Sequence, residues 1–493
     1  MHELTVRQGT ACTRLSFEGT PILADLLAEH GFPVQRPCGG RGKCGKCAVE
    51  VSGCLSQPTA AEVAAGAHLA CQTALLGDAQ VTLPEAPEHA RIELSGEESF
   101  RPLAPVSGCL GLAVDIGTTT LAARLLELST GKTLGQAAML NPQTAVAADV
   151  MGRIGAALEG KLALLQHQIL QALEALLNQA CQQAHRDPAE VDVLSIAGNT
   201  TMLYLLTGRN PESLSHAPFE ADCLFGQETT LLGRRTLLPP CMNAFVGADI
   251  TCAVLAAGQC LEEGPSLLCD IGTNGEIALW KDGVLYVTST AAGPAFEGAG
   301  ISCGCGSIPG AIDQVSAENG ALQVHTIDEA APAGVCGSGL IDAIAALLQL
   351  EIIDETGAAD EDEIPLSGGV SLLSRDIRAV QLAKAAVAAG IDTLLETAGV
   401  APEALTHLSI AGGFGSHLRV ASAVAIGLIP SSLAQKVRIL GNASLTGACR
   451  LLMDAAAQSS AAEIARRSQH VSLGGNPRFN HLYVEHMLFP EQE

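Results

Sequence analysis

The chain has 493 residues, 48% of them hydrophobic and 16% charged, with 52 acidic against 27 basic side chains and a formal net charge of −25. That length suits roughly two to four folding units, and so large an apolar fraction excludes wholesale disorder. The charge excludes nucleic acid as the main partner, because a phosphate backbone would be repelled, and it disfavours an anionic membrane surface. No charge-free run of about 18 apolar residues marks a membrane span. The opening MHELTVRQGT has no basic segment before an apolar core, so a cytoplasmic protein is expected. In a reducing compartment the seventeen cysteines are expected to be metal ligands or small buried hydrophobes rather than a disulfide framework. Cys181, Cys223, Cys252, Cys260 and Cys449, in Ala/Leu-rich surroundings, read as the latter.

In chain order, ELTVRQ and TRLSFE alternate like the strands of a hairpin. Thr20 is expected to cap a short helix with Pro21 at its first position and Ile22, Leu23, Leu26 and Leu27 on its apolar face. Cys38, Cys44 and Cys47 then fall in a C-x5-C-x2-C pattern, and Cys71 follows in LACQT. A zinc ribbon would carry two C-x2-C knuckles. Here one lobe is a glycine-rich loop, whose amides and basic side chains would offset an anionic iron–sulfur cluster. The spacing is one residue longer in its first gap than the plant-type two-iron, two-sulfur pattern. It resembles the adrenodoxin-like branch of that fold. Cys54 competes for the fourth position, and the LACQT context favours Cys71. With CAVEVSG alternating after the loop, the order is that of a β-grasp ferredoxin, expected over residues 1–84.

Residues 85–108, rich in proline and without a sustained period, read as a linker. Beyond it the chain repeats itself. DIGTTT begins at Asp115 and DIGTNGE at Asp270; LSIAG recurs at Leu194 and Leu408, each time six residues after a proline, Pro188 or Pro402, that follows a helical Ala/Leu-rich stretch. Two matching pairs in one order imply duplication, with halves expected at 109–260 and 261–493.

Each DxGT reads as strand, tight turn, strand. The amides and hydroxyls of Gly117, Thr118, Thr119 and Thr120, and of Gly272, Thr273 and Asn274, suit phosphate oxygens. Asp115 and Asp270 end buried strands, where facing carboxylates can hold Mg²⁺ through water. Glu276 reads either as a further metal-side carboxylate or as a solvated strand residue. The arrangement resembles the ASKHA superfamily of acetate and sugar kinases, heat-shock ATPases and actin, a duplicated α/β fold. On that resemblance the two DxGT turns are the phosphate motifs for ATP, and AGGFG, with Gly412, Gly413 and Phe414, is the adenosine motif. FVGADITCAVLAAG and GNASLTGACRLL would be the two connecting helices. Asp249 in the first is the candidate for orienting or deprotonating the attacking water, with a plain helix-capping carboxylate as the alternative. No G-x-x-x-x-G-K-[ST] is present, so this is not a P-loop ATPase. Cys303, Cys305 and Cys336 lie on glycine-rich turns and read as packed rather than as a second metal site.

The whole series, CGGRGKCGKC and LACQT, DIGTTT, NPQTAVAADVMGRI, AGNTTM, DIGTNGE, GPAFEGAGISCG, GSGLID, AGGFG and FNHLYVEHMLFP, resembles the reductive activators of corrinoid proteins. The resemblance implies that ATP drives one electron from the 2Fe–2S cluster onto Co(II) of a methyltransferase-associated corrinoid protein, regenerating Co(I). It implies an external electron donor (a ferredoxin, flavodoxin or reductase), leaves a homodimer open, and brings in neither nucleic acid nor membrane. The linker departs from longer relatives, which carry an extra domain there. The competing readings are a small-molecule kinase with a fused ferredoxin domain, an ATP-driven activator of another low-potential enzyme, and a non-catalytic redox-sensing module.

Overall fold

A computed structural model describes the chain except for residues 10, 33, 35, 37–39, 43–44, 84–93, 95–98, 414–416 and 492–493. Of the expected site residues, Cys38, Cys44 and Phe414 lie outside the described residues.

The N-terminal unit is a five-stranded sheet in the order Ala11–Phe17, His2–Gln8, Leu75–Leu83, Ala48–Leu55, His68–Leu69. Its first and last long strands, His2–Gln8 and Leu75–Leu83, pair in parallel, and the other neighbours pair antiparallel. Leu4, Val6, Leu69, Leu75 and Val81 meet Leu23, Leu26 and Leu27 of the helix Leu23–Glu29 in one small core. The helix start differs from expectation. Ile22 occupies the N-cap without a side-chain hydrogen bond, and Thr20 does not cap. The reason is that the orphan amides of Leu23 and Ala24 are taken by the carbonyls of Thr73 and Ala70, each at 2.9 Å, so no hydroxyl is needed. The same bonds fasten the helix to the segment carrying Cys71.

Two six-stranded sheets form the body; five strands of each correspond in order, and each adds one edge strand of its own, Phe225–Leu231 in the first and Ser468–His470 in the second. The first runs Phe225–Leu231, Arg234–Pro240, Val191–Gly198, Leu110–Ile116, Thr120–Glu127, Lys132–Leu140. The second runs Val437–Gly441, Leu408–Ala411, Ser266–Ile271, Gly275–Lys281, Val284–Thr290, Ser468–His470. In each, an antiparallel triplet built on a DxGT turn is flanked by a parallel LSIAG strand. The registers coincide: Asp115 lies opposite Ala197 and Ala122, and Asp270 opposite Ala411 and Glu276. The long helices Leu162–Gln183 and Ser374–Ala398 precede the two LSIAG strands, each separated from its strand by a short turn starting at Pro188 or Pro402. Leu165, Ile169, Leu173 and Leu176 are the buried face of the first helix, as the periodicity requires.

Part of the expected linker is docked. Phe100 and Val106 are buried, the Phe100 amide donates to the Gly131 carbonyl at 3.0 Å, and the Val106 amide donates to Leu452 at 3.0 Å. Burial of those two side chains recovers more than a free tether could, which is why the segment does not stay in solvent. Among the described residues, no helix is long and apolar enough to cross a membrane.

The two halves meet through the helices Ala248–Ala257 and Ala443–Met453, which cross at Gly447. A Cβ there would stand 2.1 Å from the Cys252 carbonyl oxygen. Gly447→Val should therefore push the connecting helices apart, at a cost of about 3 kcal/mol. A thermal melt checks this. An unchanged melting temperature would mean that the contact yields without cost.

Candidate functional site

Both DxGT turns are closed by a single backbone bond, from the Gly117 amide to Thr120 (2.9 Å) and from the Gly272 amide to Asn274 (3.1 Å). The turns come from opposite halves of the chain and touch. Thr119 Oγ1 and Thr273 Oγ1 are 3.1 Å apart, and both donate to Glu297 Oε2, at 2.8 and 2.9 Å. One carboxylate thus ties the two expected phosphate loops together.

The first turn is braced from behind. Asn141 Nδ2 donates to the Gly117 carbonyl at 2.9 Å, and Asn199 Nδ2 donates to Thr118 Oγ1 at 3.1 Å while Asn199 Oδ1 caps the helix Thr200–Thr207. Arg153, with no exposed surface, donates to the carbonyls of Thr118 (2.5 Å) and Ala147 (3.0 Å) and to Gln143 Oε1 (3.2 Å). Burial pulls its guanidinium down to about 9, although Asp149 opposes the shift. It is a desolvated cation directly behind a loop suited to phosphate.

Carboxylates crowd the cleft. Burial raises Asp115 above the usual range even though Ser444 Oγ (2.8 Å) and Asn442 Nδ2 (3.0 Å) both donate to it. Asp249 is pushed up to about 7 by burial and by the Asp115 charge. Asp270 reaches about 8 through burial and the charges of Asp249, Asp115 and Glu297. Glu297 is raised by burial, with the Thr119 and Thr273 hydroxyls pulling the other way. Glu276 is buried rather than solvated, and burial with Asp249 and Asp270 nearby lifts it well above a normal glutamate. Asp249 sits in the first turn of the helix Ala248–Ala257, whose N-cap position is Gly247, and its Oδ1 accepts from the first-turn Ile250 amide at 2.8 Å. Five buried acids, three of them raised further by their acidic neighbours, make an anionic pocket, and such a pocket suits a metal ion held through water.

Gly412, with φ of +95°, lies against Asp270: a Cβ at that position would come within 2.7 Å of Oδ1 and 2.9 Å of the Ile271 carbonyl. Gly413 is exposed beside it. The expected adenosine motif of the second half therefore abuts Asp270. Glu297, Asn199, Asn442, Ser444 and Arg153 join this site without having been singled out from the sequence. Their signal was present only as membership of GPAFEGAGISCG, AGNTTM, GNASLTGACRLL and NPQTAVAADVMGRI.

The second site is in the N-terminal unit. Cys47 and Cys71 are both buried with their sulfurs 3.2 Å apart, and the Ala70 amide donates to the Cys47 carbonyl at 2.9 Å. Gln72 Nε2 reaches across to the Gly40 carbonyl at 2.6 Å and holds the glycine loop against the Cys71 segment. Glu62 fixes that segment from the other side, accepting from the Leu69 amide (3.2 Å) and Thr73 Oγ1 (2.6 Å). Cys54 is exposed on the strand Ala48–Leu55, against Gly77, and is not part of this thiol pair. Cys303 and Cys305 pack against the backbone at Gly334, where a Cβ would meet the Cys303 carbonyl at 2.7 Å and Cys305 Sγ at 2.8 Å. They are close-packed turn residues.

The raised carboxylates set a pH dependence. An aspartate with a folded pKa above its unfolded value near 4 contributes stability that is complete below about pH 4 and lost as pH rises through the folded pKa, here 7 to 8. The cation-free protein should therefore melt at progressively lower temperature from about pH 5 to about pH 8.5, and Asp270→Asn should flatten that slope. An identical slope in the variant would remove Asp270 from the repulsion.

Comparison with known proteins matches three successive regions of the chain. Residues 7–76 match the 2Fe–2S iron–sulfur cluster binding domain, 110–260 the RACo middle region, and 264–493 the C-terminal, ASKHA domain of RACo. The corrinoid activation enzyme RamQ of Eubacterium limosum is 31% identical, covering 95% of this chain and 96% of that protein. A reductase of a Co(II) methylated-amine-specific corrinoid protein from Methanosarcina barkeri is 25% identical over 76% of each chain. The solved structure of a reductive activator for corrinoid, iron–sulfur protein superposes with a TM-score of 0.73 at 27% identity, covering 99% of this chain and 98% of the other. The chain belongs to the family of reductive activators of corrinoid proteins, a 2Fe–2S ferredoxin domain fused to a duplicated ASKHA domain.

Proposed function

We propose that this protein uses ATP binding and hydrolysis to move one electron from an N-terminal 2Fe–2S cluster onto Co(II) of a corrinoid protein, regenerating Co(I) for methyl transfer. The observation that carries the reading is the union in one chain of a buried thiol pair in a ferredoxin sheet with two phosphate-type turns that meet across an acidic cleft. The names of the two curated relatives supply the substrate class. We take residues 1–84 as the ferredoxin module, 85–108 as its connection, and 109–260 and 261–493 as the two ATPase halves.

Cys38, Cys44, Cys47 and Cys71 would hold the cluster, which supplies one-electron storage when bound. Gly117–Thr120 and Gly272–Asn274 would receive phosphate oxygens on amides and hydroxyls, with the Arg153 cation behind the first turn. Gly412 and Gly413 would let the backbone pass close to adenine and ribose, and Phe414 would complete the adenosine motif. Among the described residues no three acidic, thiol or imidazole groups converge on one ion, so Asp115 and Asp270 would hold Mg²⁺ through its water shell. Asp249, poised near neutrality, can orient the attacking water and accept its proton. An ATPase is superfluous for downhill electron transfer. It is useful when the acceptor is harder to reduce than the donor, since each ~59 mV of one-electron gap costs about tenfold in equilibrium population. A cytoplasmic setting and an external ferredoxin, flavodoxin or reductase as donor complete the proposal, which leaves a homodimer open.

Mixing the reduced, cluster-loaded protein and Mg·ATP with a Co(II) corrinoid protein should produce the Co(I) absorption band. Its absence with an intact cluster contradicts the proposal, and phosphorylation of a metabolite without any reductant would favour the kinase. Cys71→Ser should abolish electron delivery while nucleotide binding persists; loss of both would contradict separable modules. Asp270→Ala should lower ATP turnover by about tenfold or more with the cluster spectrum unchanged, and undiminished turnover would remove Asp270 from the site.

A further inference from the structure

We propose that the segment from Gly293 to Cys305 is a mechanical strap between the nucleotide cleft and the cluster loop, with Glu297 at the nucleotide end and Lys46 as the positioning residue at the cluster end. The inference rests on the function proposed above and supplies its missing physical link. At one end the Gly293 amide donates to the Thr273 carbonyl at 3.1 Å, and four residues later Glu297 ties Thr119 to Thr273. At the other, Lys46, immediately before Cys47 in the ferredoxin domain, extends its ammonium to the carbonyls of Ile301 and Ser302, at 3.4 and 3.5 Å. Only three residues separate the carboxylate on both phosphate turns from the first carbonyl that grips the cluster loop.

The strap is stiff enough to transmit a displacement. It closes on itself: the Gly298 and Ala299 amides donate to Ala295 and Pro294, and Gly304 donates to Ile301. A Cβ on Gly298 would lie 2.5 Å from the Cys305 carbonyl, and one on Gly304 would lie 1.9 Å from the Gly298 carbonyl, so the two ends of the loop are packed backbone to backbone. It is also anchored. The Ser302 amide and hydroxyl donate to buried Asp376 Oδ1 at 2.9 and 3.0 Å, at the start of the long helix Ser374–Ala398, and Arg375 Nε donates to Ser302 Oγ at 3.0 Å. Phosphates entering between Thr119 and Thr273 compete with Glu297 for the same hydroxyls. A carboxylate expelled from that contact must move the loop that holds Lys46, because the loop has no slack to absorb the shift.

Amide hydrogen exchange on the intact, cluster-loaded protein, with saturating magnesium and a non-hydrolysable ATP analogue, tests this. Nucleotide should slow exchange at both phosphate turns and change it by about tenfold at residues 45–48. In Lys46→Met the turns should respond as before while the 45–48 response is lost, and Lys46→Arg, which keeps a donor, should restore it. Glu297→Gln, remote from the cluster ligands, should likewise uncouple 45–48 at saturating analogue. A 45–48 response that persists in Lys46→Met and Glu297→Gln overturns the strap and leaves the nucleotide reading standing. Silence at the phosphate turns of the unaltered chain overturns the nucleotide reading, and the strap with it.

Discussion

Everything in the body of this protein serves one crowded contact: Thr119 from the first half and Thr273 from the second, joined through Glu297, with Asp115, Asp249, Asp270 and Glu276 close by. Burial raises all five acids of this poorly solvated cleft, and the charges of their acidic neighbours raise Asp249, Asp270 and Glu276 further. The contact persists because it is held from outside. Each aspartate ends a central strand of a six-stranded sheet, and the helices Ala248–Ala257 and Ala443–Met453 lock the halves at a glycine crossing. Asn442 caps one of those helices and donates to Asp115 in the other half of the chain. In the proposed function, this cleft would favour a cation and a polyphosphate. A ligand that binds the closed arrangement better than the open one can draw work from that difference.

Much of this was legible in the sequence, for a definite reason. Duplication leaves the same letters in the same order, so DIGTTT and DIGTNGE announced two equivalent strand-turn-strand units, and the structure puts Asp115 and Asp270 at equivalent registers. Of the expected cluster ligands, Cys47 and Cys71 lie side by side, Cys38 and Cys44 lie outside the described residues, and the rival Cys54 is exposed on its strand. What stayed hidden depends on contacts between distant segments. Glu297 is 178 residues from Thr119, and Asn442 is 327 from Asp115. No local pattern distinguishes either from an ordinary loop acid or helix cap. Thr20 failed as a cap for the same reason: backbone carbonyls some fifty residues downstream had already satisfied the helix. Glu276 resolved to a buried acid only once the sheet on its other side was known.

The N-terminal domain is not a freely tethered passenger. Residues 99–106 lie along the first half and the end of the helix Ala443–Met453, and Lys46 spans the gap to the second half. The proposed function divides the labour: the cluster would store charge and the cleft would decide when it is released. In such a scheme nucleotide supplies no electrons. It changes the relative stability of two arrangements of the same chain, and the size of the effect is bounded by the differential affinity for nucleotide.

The central claim is that nucleotide eases electron release from the cluster. The most direct measurement follows a single turnover of pre-reduced protein against a Co(II) corrinoid protein, by the cobalt absorption, with and without Mg·ATP and with no other reductant present. The account predicts that Co(I) accumulates only when nucleotide is supplied, and in proportion to the reduced cluster consumed. Equal accumulation in its absence would contradict it.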